Sequence, residues 1–325
     1  MTDEGEHMGT RNNGEIRDLT PPPPPQPLTV GVYDNHTHLE LTRSPAPGAQ
    51  SLSGEPPQTT GLDYREALDM ASSVGVRGVV QVGTDVESSR WSAQIAAVEP
   101  RVLAAVAIHP NEAPALRAAG TLDDSLAAID ELASYARVRA IGETGLDFFR
   151  TDESGRDAQY ASFEAHIEMA KKHRLALQIH DRDAHYDVVK TLARVGAPER
   201  TVFHCFSGDV EFARLCAENG WYMSFAGTVT FKNAQGLRDA LEVVPTHLIL
   251  VETDAPYLTP HPYRGRVNSP YLIPHTVRAM AEVRGTDPSM LAAMISTNSE
   301  AVYGHWDSAP ITEPISVFDR PELDG

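Results

Sequence analysis

The chain has 325 residues, 41% of them hydrophobic and 22% charged, enough for a large core that needs no disulfide or structural metal to hold it together. With 27 Lys and Arg against 45 Asp and Glu, the formal net charge of -18 excludes a protein that wraps long nucleic acid by neutralising its backbone. Cys205 and Cys216 give no disulfide framework, no basic-apolar-small leader opens the chain and no apolar run reaches membrane-span length, so the expectation is a soluble, reduced, cytoplasmic protein.

In chain order, residues 1–27 are polar and end in Pro21 to Pro25, Gln26 and Pro27, the composition of a disordered tail with a stiff polyproline base. Residues 28–304 alternate between short apolar runs and helical patterns. Strands are expected at 29–33, 76–82, 102–108, 138–142, 175–179, 201–206, 221–225 and 248–251. Helices are expected at 63–74, 87–98, 122–136, 157–173, 184–195, 210–219, 235–244, 274–283 and 288–303. Residues 41–60, rich in Pro, Ser and Gly, read as a loop insertion, and 305–325 as a C-terminal surface tail. The Val, Ile, Leu and Phe content of the strands suits buried parallel strands, and eight strand–helix repeats fit an α/β fold closed as a (β/α)8 TIM barrel. An open doubly wound sheet competes. It is disfavoured because no Gly-x-Gly-x-x-Gly follows an early strand, and because reactive polar residues end the first and last strands, which only ring closure brings together.

Directly after the first strand stands Asp34-Asn35-His36-Thr37-His38. Residues two apart in an extended segment point the same way, so His36 and His38 can present two imidazoles to one divalent ion; the alternative is a hydrogen-bonded pair at a strand end. His109 with Pro110 ends the third strand, Glu143 the fourth and His180 the fifth, while His204 lies in the sixth and Asp254 follows the eighth. A glutamate after the buried run Ala140-Ile141-Gly142 needs a cation or a hydrogen-bond network. A closed barrel gathers all of these at its C-terminal mouth.

Four imidazoles and two carboxylates are too many for one tetrahedral ion and suit two ions about 3.5–4 Å apart that share a carboxylate. By reach, Glu143 is the bridge, His36, His38 and Asp254 complete one ion, and His180 and His204 complete the other. Asp254 also accepts the proton of the nucleophilic water, and hydrolysis by hydroxide generated at this dinuclear site follows as the reaction class. His109 reads as an orienting residue or substrate contact, with a packing histidine the alternative. The other eight of the thirteen histidines, His166 and His185 among them, read as structural. Cys205 reads as a core residue facing away from His204, and Cys216 as core.

With these blocks in place, residues 30–304 resemble the TatD-related metal-dependent deoxyribonuclease family, whose barrels are amidohydrolase-like. The resemblance rests on Asp34-Asn35-His36-Thr37-His38-Leu39, Ile108-His109-Pro110, Gly142-Glu143-Thr144-Gly145-Leu146-Asp147, Ile179-His180-Asp181-Arg182-Asp183-Ala184, His204-Cys205-Phe206-Ser207-Gly208 and Glu252-Thr253-Asp254-Ala255-Pro256-Tyr257-Leu258. It implies two divalent ions and hydrolysis of phosphodiester bonds in single-stranded or damaged DNA, by exonucleases such as 3'-5' trimming enzymes or by endonucleases, with some members acting on RNA. By match to those motifs, His36, His38, Glu143, His180, His204 and Asp254 are the metal ligands, and Asp254 and Glu143 the catalytic carboxylates. The sequence departs from the family at Glu40, where an aspartate is common, at Asn111, where a histidine often follows His-Pro, and at Asn268-Ser269-Pro270.

The resemblance points to magnesium. Imidazole donors favour manganese, zinc or nickel, so Mg2+ or Mn2+ is expected as the working ion and Zn2+ or Ni2+ as a bound occupant. Arg150, Arg182 and Arg264 are candidates for phosphate contact, against salt bridges of Arg182 and Arg264 with Asp181, Asp183 or Glu252. Tyr257, Phe148 and Phe149 either stack on a base or pack along the rim. The expected partner is DNA, single-stranded or at short ends; no protein partner or oligomeric state is readable. The rival function is an amidohydrolase-like ester or amide hydrolase, such as a deacylase of aminoacyl-tRNA; a non-catalytic module would need a lost ligand, and all six are present.

Overall fold

A computed structural model of the protein describes residues 20–41, 44–45 and 59–307. In chain order its elements begin with β1 (Val32–Thr37), β2 (Ser44–Pro45), β3 (Thr59–Thr60), α1 (Tyr64–Ser73), β4 (Val76–Val82), α2 (Val86–Val98) and β5 (Val102–Val106). There follow α3 (Ala113–Ala119), α4 (Leu122–Leu132), β6 (Val138–Asp147), α5 (Arg156–His173), β7 (Ala176–Arg182), α6 (His185–Val195) and β8 (Thr201–Phe203). The chain continues through α7 (Val210–Glu218), β9 (Tyr222–Phe225), α8 (Gln235–Val243), β10 (Ile249–Val251), α9 (Ile273–Val283) and α10 (Pro288–Tyr303).

Eight strands form one sheet in the order β1-β4-β5-β6-β7-β8-β9-β10, each parallel to the next. The ring is drawn together where Thr37 bridges Ala255 and where the Asn35 amide donates to the Val251 carbonyl at 2.7 Å. This is the (β/α)8 barrel expected from the strand–helix alternation, and the polar ends of its first and last strands do meet. Alternation along the strands divides the apolar side chains between two cores. Val80, Val82, Leu103, Ala105, Val202 and Leu250 fill the barrel, whereas Val79, Val102, Val106, Ile141 and Ile179 pack outward under the helices.

Several boundaries differ from expectation. β6 continues past 142 to Asp147, because Thr144 to Asp147 pair in register with Ile179 to Arg182 of β7. Glu143 therefore lies within a strand. β8 stops at Phe203, so His204 follows it and is not part of it, and Cys205 takes a left-handed φ of 43°. Helix α3 was not expected, and α4 stops at Leu132. In the segment read as a loop, β2 and β3 pair antiparallel; residues 46–58 lie outside the described residues, as do 1–19 and 308–325.

Both expected tails are anchored where they are described. Pro22 is buried, its carbonyl accepts from the Tyr271 hydroxyl at 2.5 Å, and Arg278 donates to the carbonyls of Gln26 and Pro27 at 2.7 and 3.1 Å. Trp306, placed in the surface tail by sequence, is a core residue at the barrel floor. It stacks on Tyr33 with ring centroids 3.9 Å apart, and a Cβ on Gly78 would lie 2.6 Å from its indole. No described helix is long and apolar enough to cross a membrane.

His166 of α5 is structural, as the sequence suggested, but it works beneath the mouth. Its Nε2 accepts the Ile108 N–H at 3.2 Å and its Nδ1 lies 2.9 Å from Thr144 Oγ1, so one ring pins the residues adjoining His109 and Glu143. Burial lowers its pKa from 6.5 to about 3. The unfolded chain takes up this proton below 6.5 and the folded chain does not, so stability falls as pH drops from 6.5 towards 3. His166→Gln is expected to remove about 2 kcal/mol of the stability lost between pH 6.5 and 5. Urea unfolding of both proteins at the two pH values measures this; equal losses would contradict it.

Candidate metal centre

Closure of the barrel positions the first group of donors. The Asp254 N–H donates to the His36 carbonyl at 2.9 Å, and the His38 N–H to the Ala255 carbonyl at 2.8 Å. Below them, the buried Asp34 accepts from Thr253 N at 2.9 Å and from Thr253 Oγ1 at 2.5 Å. Burial pushes the Asp34 carboxyl up to about 8, against the hydrogen bonds from Thr253 and from the His36 N–H. Asp34 and Asn35 thus staple the first strand to the last. The sequence reading gave them no such role; their place beside His36 was the available signal.

Glu143 is the centre of the site. Its Oε1 lies 2.7 Å from His180 Nδ1, 2.9 Å from His204 Nε2 and 3.3 Å from His109 Nε2. Its Oε2 lies 3.5 Å from His36 Nε2 and 3.8 Å from His38 Nε2. Those two ring nitrogens face each other at 3.3 Å, and Asp254 Oδ1 stands 3.9 Å from the first and 3.5 Å from the second. Burial raises the Glu143 carboxyl, but the charges of His204 and His109 outweigh it and hold the pKa well below the ordinary value. Gly145 permits the close pairing with β7: its φ is +139°, and a Cβ there would lie 2.0 Å from the His180 carbonyl oxygen. The six residues expected to converge are together, and His109 joins them.

Neighbouring groups fix which nitrogen of each ring faces inward. His38 Nδ1 donates to the Val82 carbonyl at 3.0 Å, leaving the Nε2 lone pair for the site. His204 Nδ1 is 3.2 Å from Glu252 Oε1, and His180 Nε2 is 3.2 Å from Asp147 Oδ2. His109 has the opposite polarity: its Nδ1 accepts the Asn111 N–H at 3.1 Å, so the neutral ring carries its proton on Nε2, facing Glu143. His36 Nδ1 is buried without a hydrogen-bond partner, and its ring is held by stacking on His204 at 3.9 Å.

Glu252 is a residue the sequence reading treated only as a salt-bridge partner. It is fully buried, orients His204, accepts the Cys205 N–H at 2.7 Å and forms a further possible metal group with His36 and His204. Cys205 is partly exposed, contrary to the core reading, because its left-handed backbone turns it out of the strand direction; Cys216 is buried as expected. Glu40 accepts from Gln81 Nε2 at 2.5 Å and lies 4.0 Å from His38 Nδ1. Burial lowers the His38 pKa, but hydrogen bonding to Asp254 and the charge of Glu40 prevail and raise it to about 9.

Asn111 carries more than its neighbours. Its backbone sets the tautomer of His109, and its side-chain amide donates to Asp147 Oδ2 at 3.0 Å, the oxygen that orients His180. Asn111→Leu removes that side-chain donor and is expected to weaken metal affinity about 10- to 100-fold, the usual cost of losing a group behind a ligand. Asn111→His, which retains a donor, is expected to recover most of it. Titration with Mn2+ tests both, and an unchanged affinity in the leucine variant would contradict the role.

The rim residues divide. Tyr257 is exposed, with its ring centroid 6.3 Å from that of His38. Arg182 lies on the exposed ring of Phe149, with its guanidinium carbon 4.0 Å from the centroid, and Arg264 lies 4.2 Å from the Phe231 centroid. Neither makes the salt bridge considered for it: Asp181 instead binds His185 at 2.6 Å, and Glu252 serves His204. Arg150 is exposed, and none of the three arginines forms an ion pair with Glu143 or Asp254. Phe148 packs against Tyr160 and under Arg156, as a rim residue.

The donor set fits divalent ions. Ring nitrogens crowd both oxygens of one buried carboxylate, and three of the five rings are oriented from behind by a carbonyl or a carboxylate, the usual support for metal-binding histidines. Residues 33–304 match the family model described as TatD related DNase. An uncharacterized metal-dependent hydrolase TatD of Mycobacterium tuberculosis is 41% identical over 277 residues, covering 84% of this chain and 98% of the relative. A 3'-5' ssDNA/RNA exonuclease TatD of Citrobacter rodentium is 34% identical over 248 residues, covering 74% of this chain and 92% of its own length. The crystal structure of YJJV, a TatD homolog from Escherichia coli, superposes with a TM-score of 0.72 at 24% identity, covering 84% of this chain and 98% of that one.

Proposed function

The chain belongs to the TatD-related DNase family of metal-dependent hydrolases, and we propose that it is a nuclease hydrolysing DNA phosphodiester bonds, single-stranded or at strand ends, by 3'-5' trimming at two divalent ions bridged by Glu143. The observation that carries this reading is the division of Glu143: Oε2 faces His36 and His38, and Oε1 faces His180 and His204. His36, His38 and Asp254 would hold one ion, His180 and His204 the other. Two such ions would supply Lewis acidity for a phosphoryl oxygen and would acidify water near it. Imidazole-rich donors favour Mn2+, Zn2+ or Ni2+ as occupants, with Mg2+ or Mn2+ as the working ion.

The chain's own groups do the rest. Asp254 Oδ1, beside His36 and His38, accepts the proton of the attacking water. His109 carries a single proton, on Nε2, which faces Glu143 and turns to a phosphoryl oxygen placed beside it when substrate is bound. Arg150, Arg182 and Arg264, which have no carboxylate partner among the described residues, receive the phosphates around the mouth. Two free thiols are compatible with a reducing, cytoplasmic setting.

Incubation of Mn2+-loaded protein with 5'- and 3'-labelled single strands, duplex and RNA tests the reading. Stepwise shortening from the 3' end of single strands is expected, with a log–log salt slope of about -1.5 to -3, reflecting about two to four phosphate contacts. Turnover of small esters or amides with every strand left intact would overturn it in favour of an acyl hydrolase.

A further inference from the structure

Four large apolar side chains remain exposed on the segments that follow strands at the mouth: Leu41, Phe149, Tyr186 and Tyr257, at 38%, 53%, 74% and 53%. Phe149 and Tyr257 are tied directly to the centre from opposite sides. The Phe149 N–H donates to Asp147 Oδ1 at 3.0 Å, and the other oxygen of that carboxylate orients His180. The Tyr257 N–H donates to the Asp254 carbonyl at 2.8 Å, and its ring stands edge-on to His38. The backbone carrying each ring is therefore tied to one half of the donor set.

The charge beside Phe149 is unusual for a chain of net charge -18. Arg182 lies on one face of Phe149, and Arg150 is the next residue along the chain. Asp181 and Asp183 flank Arg182 in sequence, yet neither arginine has a carboxylate partner among the described residues. An exposed aromatic ring with cations left free beside it matches a nucleotide with an unpaired base: the ring takes the π-face, and the guanidinium takes the phosphate or extends the stack. A surface meant only for protein packing would gain nothing from unneutralised arginines there.

We propose that Phe149 with Arg182 on the His180 side, and Tyr257 on the His38 side, are base-stacking platforms that hold the two nucleotides flanking the scissile phosphate, making unpaired bases a requirement for productive binding. This rests on the phosphodiester reading above and assigns the residues that set its substrate preference. Interior paired bases are stacked on both faces and a terminal pair offers only one, so duplex cannot fill both platforms and is rejected without a contact to its sequence.

The test compares a short single strand with the same strand carrying abasic residues on both sides of the cut. Unmodified protein is expected to favour the base-bearing strand in kcat/KM, by about 5- to 150-fold for each base stacked. In Phe149→Ala and Tyr257→Ala that ratio is expected to fall towards one for the corresponding side, and Phe149→Trp is expected to restore it. Both positions are exposed, and melting temperature with metal content checks that the variants remain folded and loaded. A ratio near one in the unmodified protein, or one untouched by either alanine, would overturn the platforms while leaving phosphodiester hydrolysis intact. Failure to cut both strands would instead overturn the nuclease reading itself.

Discussion

Glu143→Gln is expected to lower kcat/KM by at least about 10³-fold and to release metal at the same time, corresponding to several kcal/mol of lost stabilisation. The substitution keeps the shape of the side chain but replaces one oxygen with a nitrogen that has no lone pair to offer. It also leaves five imidazoles facing a neutral group where a buried carboxylate had balanced them. A merely structural glutamate would behave differently: glutamine could keep its hydrogen bonds, and metal content would stand. Elemental analysis after gel filtration, with activity measured on the same sample, separates the cases. Retention of full metal content by an inactive variant would remove the bridging role.

Asp254→Asn is expected to divide its effects. If Asp254 is the proton acceptor proposed above, neutralising it should cost about 10²- to 10⁴-fold in kcat, with KM changed little. Its distances of 3.5 and 3.9 Å to the two facing ring nitrogens place it with the His36 and His38 donors and apart from His180 and His204. Metal loss should therefore be partial, confined to one ion, whereas Glu143→Gln disturbs both. Equal metal loss in the two variants would show that the donors act as one undivided set.

Much of this site was legible in the sequence because barrel architecture converts strand order into spatial position. Buried parallel strands must be apolar on both faces, so His36, Glu143, His180 and Asp254 stand out at or near the places where such runs end. Strand lengths were less legible. β6 extends past Glu143 only because β7 offers matching backbone groups as far as Arg182, a fact of register and not of composition. The supporting residues were least legible of all. Asp34 binds Thr253 across the ring closure, 219 residues away, and Glu252 orients His204 from 48 residues further along the chain. A buried acid next to a candidate ligand carries no local mark of the partner that will satisfy it. Trp306 misled for the related reason that its stacking partner, Tyr33, lies near the other end of the chain.

Crystals loaded with Mn2+ and measured at its absorption edge locate the ions directly. The account predicts two anomalous peaks about 3.5–4 Å apart, one beside His36 and His38, the other beside His180 and His204, with Glu143 between them. A single peak at full loading, or a pair that leaves one Glu143 oxygen without an ion, would contradict it.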